Sequence, residues 1–95
     1  MDASRWVDAP SRIIETIAGW ECSSAESRAA ARSWLVDKLD VFANRPEDCS
    51  IHVCRESDIR SAIYVFDNSY NPAVLCYFVT VPKRGSRIHV RAKNT

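Results

Sequence analysis

The side chains best suited to binding or chemistry are the basic groups near the end of the chain. Residues 82–95, PKRGSRIHVRAKNT, contain no acidic residue. Their cations and single imidazole are Lys83, Arg84, Arg87, His89, Arg91 and Lys93. Guanidinium and ammonium groups hold phosphates and carboxylates, and an imidazole can accept or donate a proton. This segment therefore predicts either an anion-binding surface or only a well-solvated end of a small domain.

The net charge of +1 conceals an asymmetry along the chain. Residues 82–95 carry five basic side chains, whereas residues 1–81 carry eight basic and twelve acidic ones. The overall pI of about 7.7 is lower than the values above about 9 that are typical of nucleic-acid-binding domains. The charge balance indicates a polarised surface, but it counts against nucleic acid as the partner.

Four cysteines and a second histidine are the other candidates for chemistry. Cys49, His52 and Cys54 have the spacing C-x2-H-x-C, which matches no paired zinc motif, and on a strand Cys49 would not share a face with the other two. We predict no metal and expect thiols that pack as small apolar groups. Because no apolar run is typical of a signal peptide or a membrane span, we expect a cytoplasmic protein with reduced thiols and no membrane partner.

Motifs of the common catalytic folds are missing from the sequence. Gly19 and Gly85 are the only glycines, so no glycine-rich loop could hold a nucleotide's phosphates. Glu56 and Asp58 lie in CRESDIR, whose alternating charges are typical of a solvated connection with local ion pairs. We therefore expect a protein that is not an enzyme and that needs no cofactor.

Two helices are predicted within residues 9–44, and no strand is predicted before them. Pro10 suits the first turn of the first helix, and Gly19 suits its end. Its apolar face comprises Ile13, Ile14 and Ile17. Ser23 and Glu26 have the spacing of a capping box at the start of the second helix, which continues to Asn44. Its apolar stripe comprises Ala31, Trp34, Leu35, Leu39 and Phe42.

The remainder, about residues 50–92, has the alternation and the β-branched and aromatic composition of strands. Residues 73–81 are apolar at both parities, which favours a central strand covered on both faces. The sequence thus predicts one α+β domain over residues 1–95. In it, two N-terminal helices pack on one face of a three- to four-stranded antiparallel sheet.

Side-chain parity in the last strand decides where the basic groups point. Ile88, Val90 and Ala92 are predicted to face the core, and Arg87, His89, Arg91 and Lys93 to face outward. Lys83 and Arg84 would lie on the preceding turn, near one end of this row. A terminal strand is often a sheet edge, where Lys and Arg prevent pairing with other chains, so edge protection is the simpler explanation.

The aromatic residues Tyr64, Phe66, Tyr77 and Phe78 could stack on bases if one face of the sheet were bare. Their apolar neighbours favour a place in the core instead.

The layout loosely resembles that of small ribonuclease toxins of the bacterial toxin–antitoxin type, which place a helical pair before a sheet that bears basic residues. This resemblance implies that Arg84, Arg87, His89 and Arg91 would hold and polarise an RNA phosphate.

The leading hypothesis is a non-enzymatic module that binds another protein, as an inhibitor, adaptor or immunity-type factor. Phage and mobile-element inhibitors, anti-CRISPR proteins among them, are often single domains of this size. Trp6 or Trp20 could anchor such a contact, although each could instead cover the core. The first alternative is nucleic acid on the basic strand, and the second is ribonuclease activity.

Residues 73–81 could also pair across a two-fold axis into a homodimer if that strand were an edge.

Overall fold

The computed structural model describes residues 3–93, which form two α-helices and a five-stranded antiparallel sheet. The elements in chain order are β1 (Ala3–Asp8), α1 (Ser11–Ala18), α2 (Ala25–Lys38), β2 (Cys49–Ser57), β3 (Arg60–Asp67), β4 (Val74–Pro82) and β5 (Arg87–Ala92). The α+β class and the antiparallel sheet are confirmed. The sheet has five strands rather than the predicted three or four, because a strand precedes the helices. No helix in the described residues is long and apolar enough to cross a membrane.

The strand order is β1-β5-β4-β3-β2, so the two ends of the chain meet in the sheet. Trp6 of β1 lies opposite His89 of β5, and the Ala9 N–H continues the pairing by donating to the Ser86 carbonyl at 2.8 Å. The last strand is therefore interior, and its interpretation as a sheet edge is wrong. The segment ASRWVD is short and mostly exposed, so its own sequence does not specify a strand. It becomes β1 because it pairs with a segment at the other end of the chain.

The first helix begins one residue later than predicted. Pro10 is the N-cap rather than part of the first turn, and Gly19 ends the helix by donating its N–H to the Glu15 carbonyl at 3.0 Å. The predicted apolar face is confirmed, since its three buried residues are Ile13, Ile14 and Ile17.

The second helix is capped by Ser24, not by the predicted Ser23. Ser24 Oγ accepts the Ser27 N–H at 3.0 Å, while Ser23 Oγ donates to the Thr16 and Gly19 carbonyls and so ties α2 to the end of α1. The helix ends at Lys38, well before Asn44. Leu39 leaves it in an extended conformation, and a 3-10 turn follows that inserts Phe42 into the core. Burial of these apolar side chains overrides the local preference for a longer helix.

The core lies between the helices and one face of the sheet. β4 occupies the central position that its composition predicts, but only one of its faces is covered by helices. Tyr77 and Val79 are buried on that side, with Tyr77 in contact with the Phe42 ring at 6.3 Å between centroids. Phe78 and Thr80 alternate with them and are half-buried on the other face. The prediction of coverage on both faces is therefore wrong.

A partly buried ion pair joins the connection after α2 to the end of β3. The Arg45 guanidinium donates to both carboxylate oxygens of Asp67, at 2.9 and 2.6 Å. The Ser69 N–H and hydroxyl donate to the same carboxylate at 3.0 and 2.7 Å. The Asp67 side chain is only 2% exposed. These hydrogen bonds, above all those from Arg45, hold the pKa of Asp67 well below its usual range.

This ion pair makes stability depend on pH with a defined sign. Because the pKa of Asp67 is lower in the folded than in the unfolded chain, its stabilisation is complete above about pH 4 and is lost as pH falls further. We expect Asp67→Asn to lower the Tm at neutral pH and to flatten the dependence of Tm on pH in the acid range. Thermal unfolding followed by circular dichroism from pH 7 to pH 3 measures both effects.

Asp58→Asn is the matched control, because Asp58 pairs with Arg55 at the exposed β2–β3 turn and exposed pairs contribute little. An Asp67→Asn protein with the wild-type Tm and pH dependence would contradict the structural role of this pair.

Candidate binding face

The sheet face turned away from the helices is called the open face here, because no described helix lies over it. It carries the alternate residues of each strand, whose immediate neighbours point into the core. Its residues include Ser4, Trp6 and Asp8 of β1, Arg87, His89 and Arg91 of β5, Phe78 and Thr80 of β4, Ala62, Tyr64 and Phe66 of β3, and Ser50, His52 and Cys54 of β2.

The predicted parity of β5 is observed. Ile88 and Val90 are buried against the helices, so Arg87, His89 and Arg91 share the open face. Ala92 packs at the margin of the core, and Lys93 follows the end of the strand, where its N–H donates to the Cys76 carbonyl at 2.8 Å.

Pairing with β1 places Trp6 over this basic strand. Its ring centroid lies 4.8 Å from that of His89, and the Arg87 guanidinium lies 5.2 Å from the indole centroid. Trp6 nevertheless remains 60% exposed. The indole and imidazole planes are tilted by 40°, so the accessible part of the indole, rather than a flat surface of all three groups, is what could stack on another planar group.

A second set of rings runs across the strands. Arg91, Phe78, Tyr64 and His52 are successive register partners from β5 to β2, and we call them the cross-strand row. The Tyr64 and Phe78 centroids are 5.1 Å apart, and the neighbouring Phe66 ring lies 5.6 Å from His52. Because strands lie about 4.8 Å apart, the row is about 14 Å long.

The core assignment of the four aromatic residues is correct only for Tyr77. Tyr64, Phe66 and Phe78 lie half-buried on the open face. Their alternation with core residues along the same strands is visible in the sequence and places them on the opposite face of the sheet. The sequence did not indicate, however, that helices would cover only one face of the sheet.

Acidic groups are few on the open face and lie at its margin. Asp8 is the register partner of Arg87, and Glu56, which lies 3.5 Å from Arg60, is four residues along β2 from His52. The row itself contains no carboxylate. Arg91 therefore supplies the permanent positive charge of the row, whereas Arg87 lies opposite Asp8.

The predicted place of Lys83 and Arg84, on the turn before the basic strand, is confirmed. They lie on the β4–β5 turn and line a cleft of about 470 Å³ with Ile14 and Glu15 of α1, on the helix side of the sheet. The backbone bond from the Lys83 N–H to the Ile59 carbonyl, at 2.8 Å, fixes this turn against the β2–β3 hairpin. Alternation within β5 therefore places Arg87 and Arg91 on the open face, whereas the preceding turn places Lys83 and Arg84 beside the cleft.

The two predicted anchors differ in accessibility. Trp6 stands on the open face, whereas Trp20 is half-buried against the core and lines a groove of about 140 Å³ with Ile17 and Val53. Of the two, Trp6 is the better placed to meet a partner without rearrangement.

Cys49, His52 and Cys54 are divided between the two sides of β2. Cys49 is 3% exposed and faces the helices, whereas His52 and Cys54 occupy the open face. Within residues 3–93, no three His, Cys, Asp or Glu side chains are grouped so that they could hold a metal ion. Burial raises the pKa values of the Cys49 and Cys76 thiols, which lowers their reactivity.

Thiol reactivity should follow this division. We expect the exposed thiols of Cys22 and Cys54 to react rapidly with an aromatic disulfide reagent at neutral pH, and Cys49 to react only on unfolding. The absorbance of the released thiolate, with and without urea, measures each class. Cys54→Ser should remove one rapid equivalent, and rapid modification of Cys49 in the folded protein would contradict its placement.

Comparison with known proteins found no family model, no curated protein and no solved structure that matches this chain.

Proposed function

We propose that this protein binds single-stranded nucleic acid on the open face of its sheet. The observation that carries the proposal is the cross-strand row, in which rings on three successive strands continue in line from Arg91, with Trp6 and Arg87 elsewhere on the same face. Bases stack on aromatic side chains whatever their sequence, and guanidinium groups hold the phosphates between them.

A single strand fits this face better than a duplex does. The Tyr64 and Phe78 rings are set into a sheet surface and are half-buried, so they can meet only bases whose faces are free.

The interior position of β5 strengthens the argument. Edge protection would have explained the basic residues without a partner, but a strand paired on both sides needs no such protection. A set of aromatic side chains beside these cations, left uncovered by helices, is instead typical of a binding surface.

A protein partner, as an inhibitor, adaptor or immunity-type factor, is the second candidate. Trp6 favours it, since an exposed indole in contact with Arg87 combines two residue types that dominate binding energy at protein interfaces. The near-neutral charge of the chain also suits a protein partner. It would use the same face, so the two candidates are separated by the ligand that binds.

Charge reversal on the open face tests the proposal. We expect Arg87→Glu with Arg91→Glu to weaken binding of a labelled mixed-sequence single-stranded RNA by more than about tenfold, because two phosphate contacts become repulsive. In the wild type, the logarithm of the binding constant should fall linearly with that of the salt concentration, by about 0.7 per phosphate contacted. Fluorescence anisotropy at several salt concentrations measures both.

The matched control is Arg12→Glu with Arg84→Glu, which changes the net charge equally at exposed positions outside the open face. If both double variants lost RNA affinity equally, the loss would be due to net charge alone and not to the open face. No binding by the wild type at low salt would end the nucleic-acid proposal. Multi-turnover cleavage of the RNA, lost in His89→Ala, would instead support the ribonuclease alternative.

Stacking makes an independent prediction for Trp6. Truncation to alanine should cost about 1–3 kcal/mol of binding free energy if one base stacks on the indole. The fold should be retained, because Trp6 is largely exposed. Anisotropy titration measures the loss, with Ile59→Ala, an exposed apolar residue on the β2–β3 turn, as the control. Unchanged affinity in Trp6→Ala would exclude this indole from the site.

A further inference from the structure

The outer edge of β2 lacks the features that usually prevent strands from pairing. Residues 50–54, SIHVC, contain no charge and no proline. Edge strands normally carry Lys, Arg, Pro or a bulge at such positions. The other edge, β1, is shorter, and its Arg5 and Asp8 carry charge.

Two features limit the accessible stretch of this edge. At its start, the Arg32 guanidinium donates to the Cys49 carbonyl, and to the Pro46 carbonyl at 3.0 Å. At its end, the register with β3 shifts between Arg55 and Ser57. Residues 50–54 remain between these limits, and His52 is their midpoint.

We propose that two copies of this protein pair through β2 in antiparallel fashion, around a two-fold axis at His52. On the helix side, Ile51 of each copy then lies beside Val53 of the other. Both are aliphatic and half-buried, and Val53 borders the groove lined by Trp20. On the open face, Ser50 lies beside the second copy's Cys54. The stretch is therefore self-complementary, as a two-fold contact requires.

The pairing would extend the binding face without any change within each copy. Because His52 ends the cross-strand row, its pairing with the second copy's His52 joins the two rows into one. The joined row would run from Arg91 of one copy to Arg91 of the other, over about 34 Å at the usual strand spacing. This consequence rests on the proposed function, whereas the pairing itself does not.

Association can be measured on the protein alone by sedimentation velocity across a concentration series. We expect the wild type to form a dimer and His52→Lys to remain a monomer at the same concentrations, because two ammonium groups would meet at the axis. His89→Lys makes the same change on an interior strand of the same face and should leave the dimer intact. Circular dichroism checks that both variants are folded.

Cross-linking tests the register in a protein that carries Cys22→Ser and Cys54→Ser. His52→Cys should form an intermolecular disulfide on mild oxidation, since cross-strand neighbours lie about 5 Å apart. Ser4→Cys, at the opposite edge of the open face, should not. A wild type that stays monomeric at all concentrations, or a disulfide at Ser4→Cys and none at His52→Cys, would overturn the proposal.

RNA of increasing length distinguishes the two proposals. A dimer that binds no RNA would leave the pairing standing and end the nucleic-acid function. If both hold, wild-type affinity should rise with RNA length until the joined row is filled. In the monomeric His52→Lys protein it should stop rising at shorter RNA. If affinity depended on RNA length in the same way in the two proteins, the pairing would not extend the binding face.

Discussion

Burial of the sheet on one side only is the constraint on which the rest of this structure depends. Two helices of 8 and 14 residues supply the apolar faces that cover five strands, and their side chains reach one face of the sheet. The helix side becomes a close-packed core around Phe42, Leu35 and Ile14. Because side chains alternate along each strand, every second residue then faces away from the helices. The types of these residues determine the chemistry of the open face.

Pairing between β1 and β5 turns that open face into a candidate site. It moves the basic strand from the edge of the sheet to its interior and brings Trp6 over Arg87 and His89. At its other end, the strand order leaves β2 as an edge that carries no charge over residues 50–54. The proposed ligand surface and the proposed contact between copies are thus two consequences of one strand order.

The ion pair between Arg45 and Asp67 stabilises the arrangement from the helix side. It links the chain that leaves α2 to the end of β3, next to the start of β2. A buried carboxylate with several donors is costly to leave unpaired, so this connection has a defined geometry.

Much of the architecture could be predicted because it is encoded in local periodicity. The isoleucine face of α1, the strand composition of residues 50–92 and the parity of Ile88 and Val90 all follow from spacing that any short window contains. The choice between Ser23 and Ser24 as a cap, and the early end of α2, could not be predicted, since both are settled by contacts with other elements.

By itself, the sequence determined the α+β class, the central position of β4 and the side of β5 on which the cations point. Only the tertiary structure decided that β5 is interior, that Tyr64 and Phe78 lie on an uncovered face, and that Lys83 and Arg84 point to a different cleft. The physical reason is the range of the interactions. Side-chain alternation acts between neighbours in the chain, whereas strand order and the covering of a face are set by contacts between segments that are far apart in it.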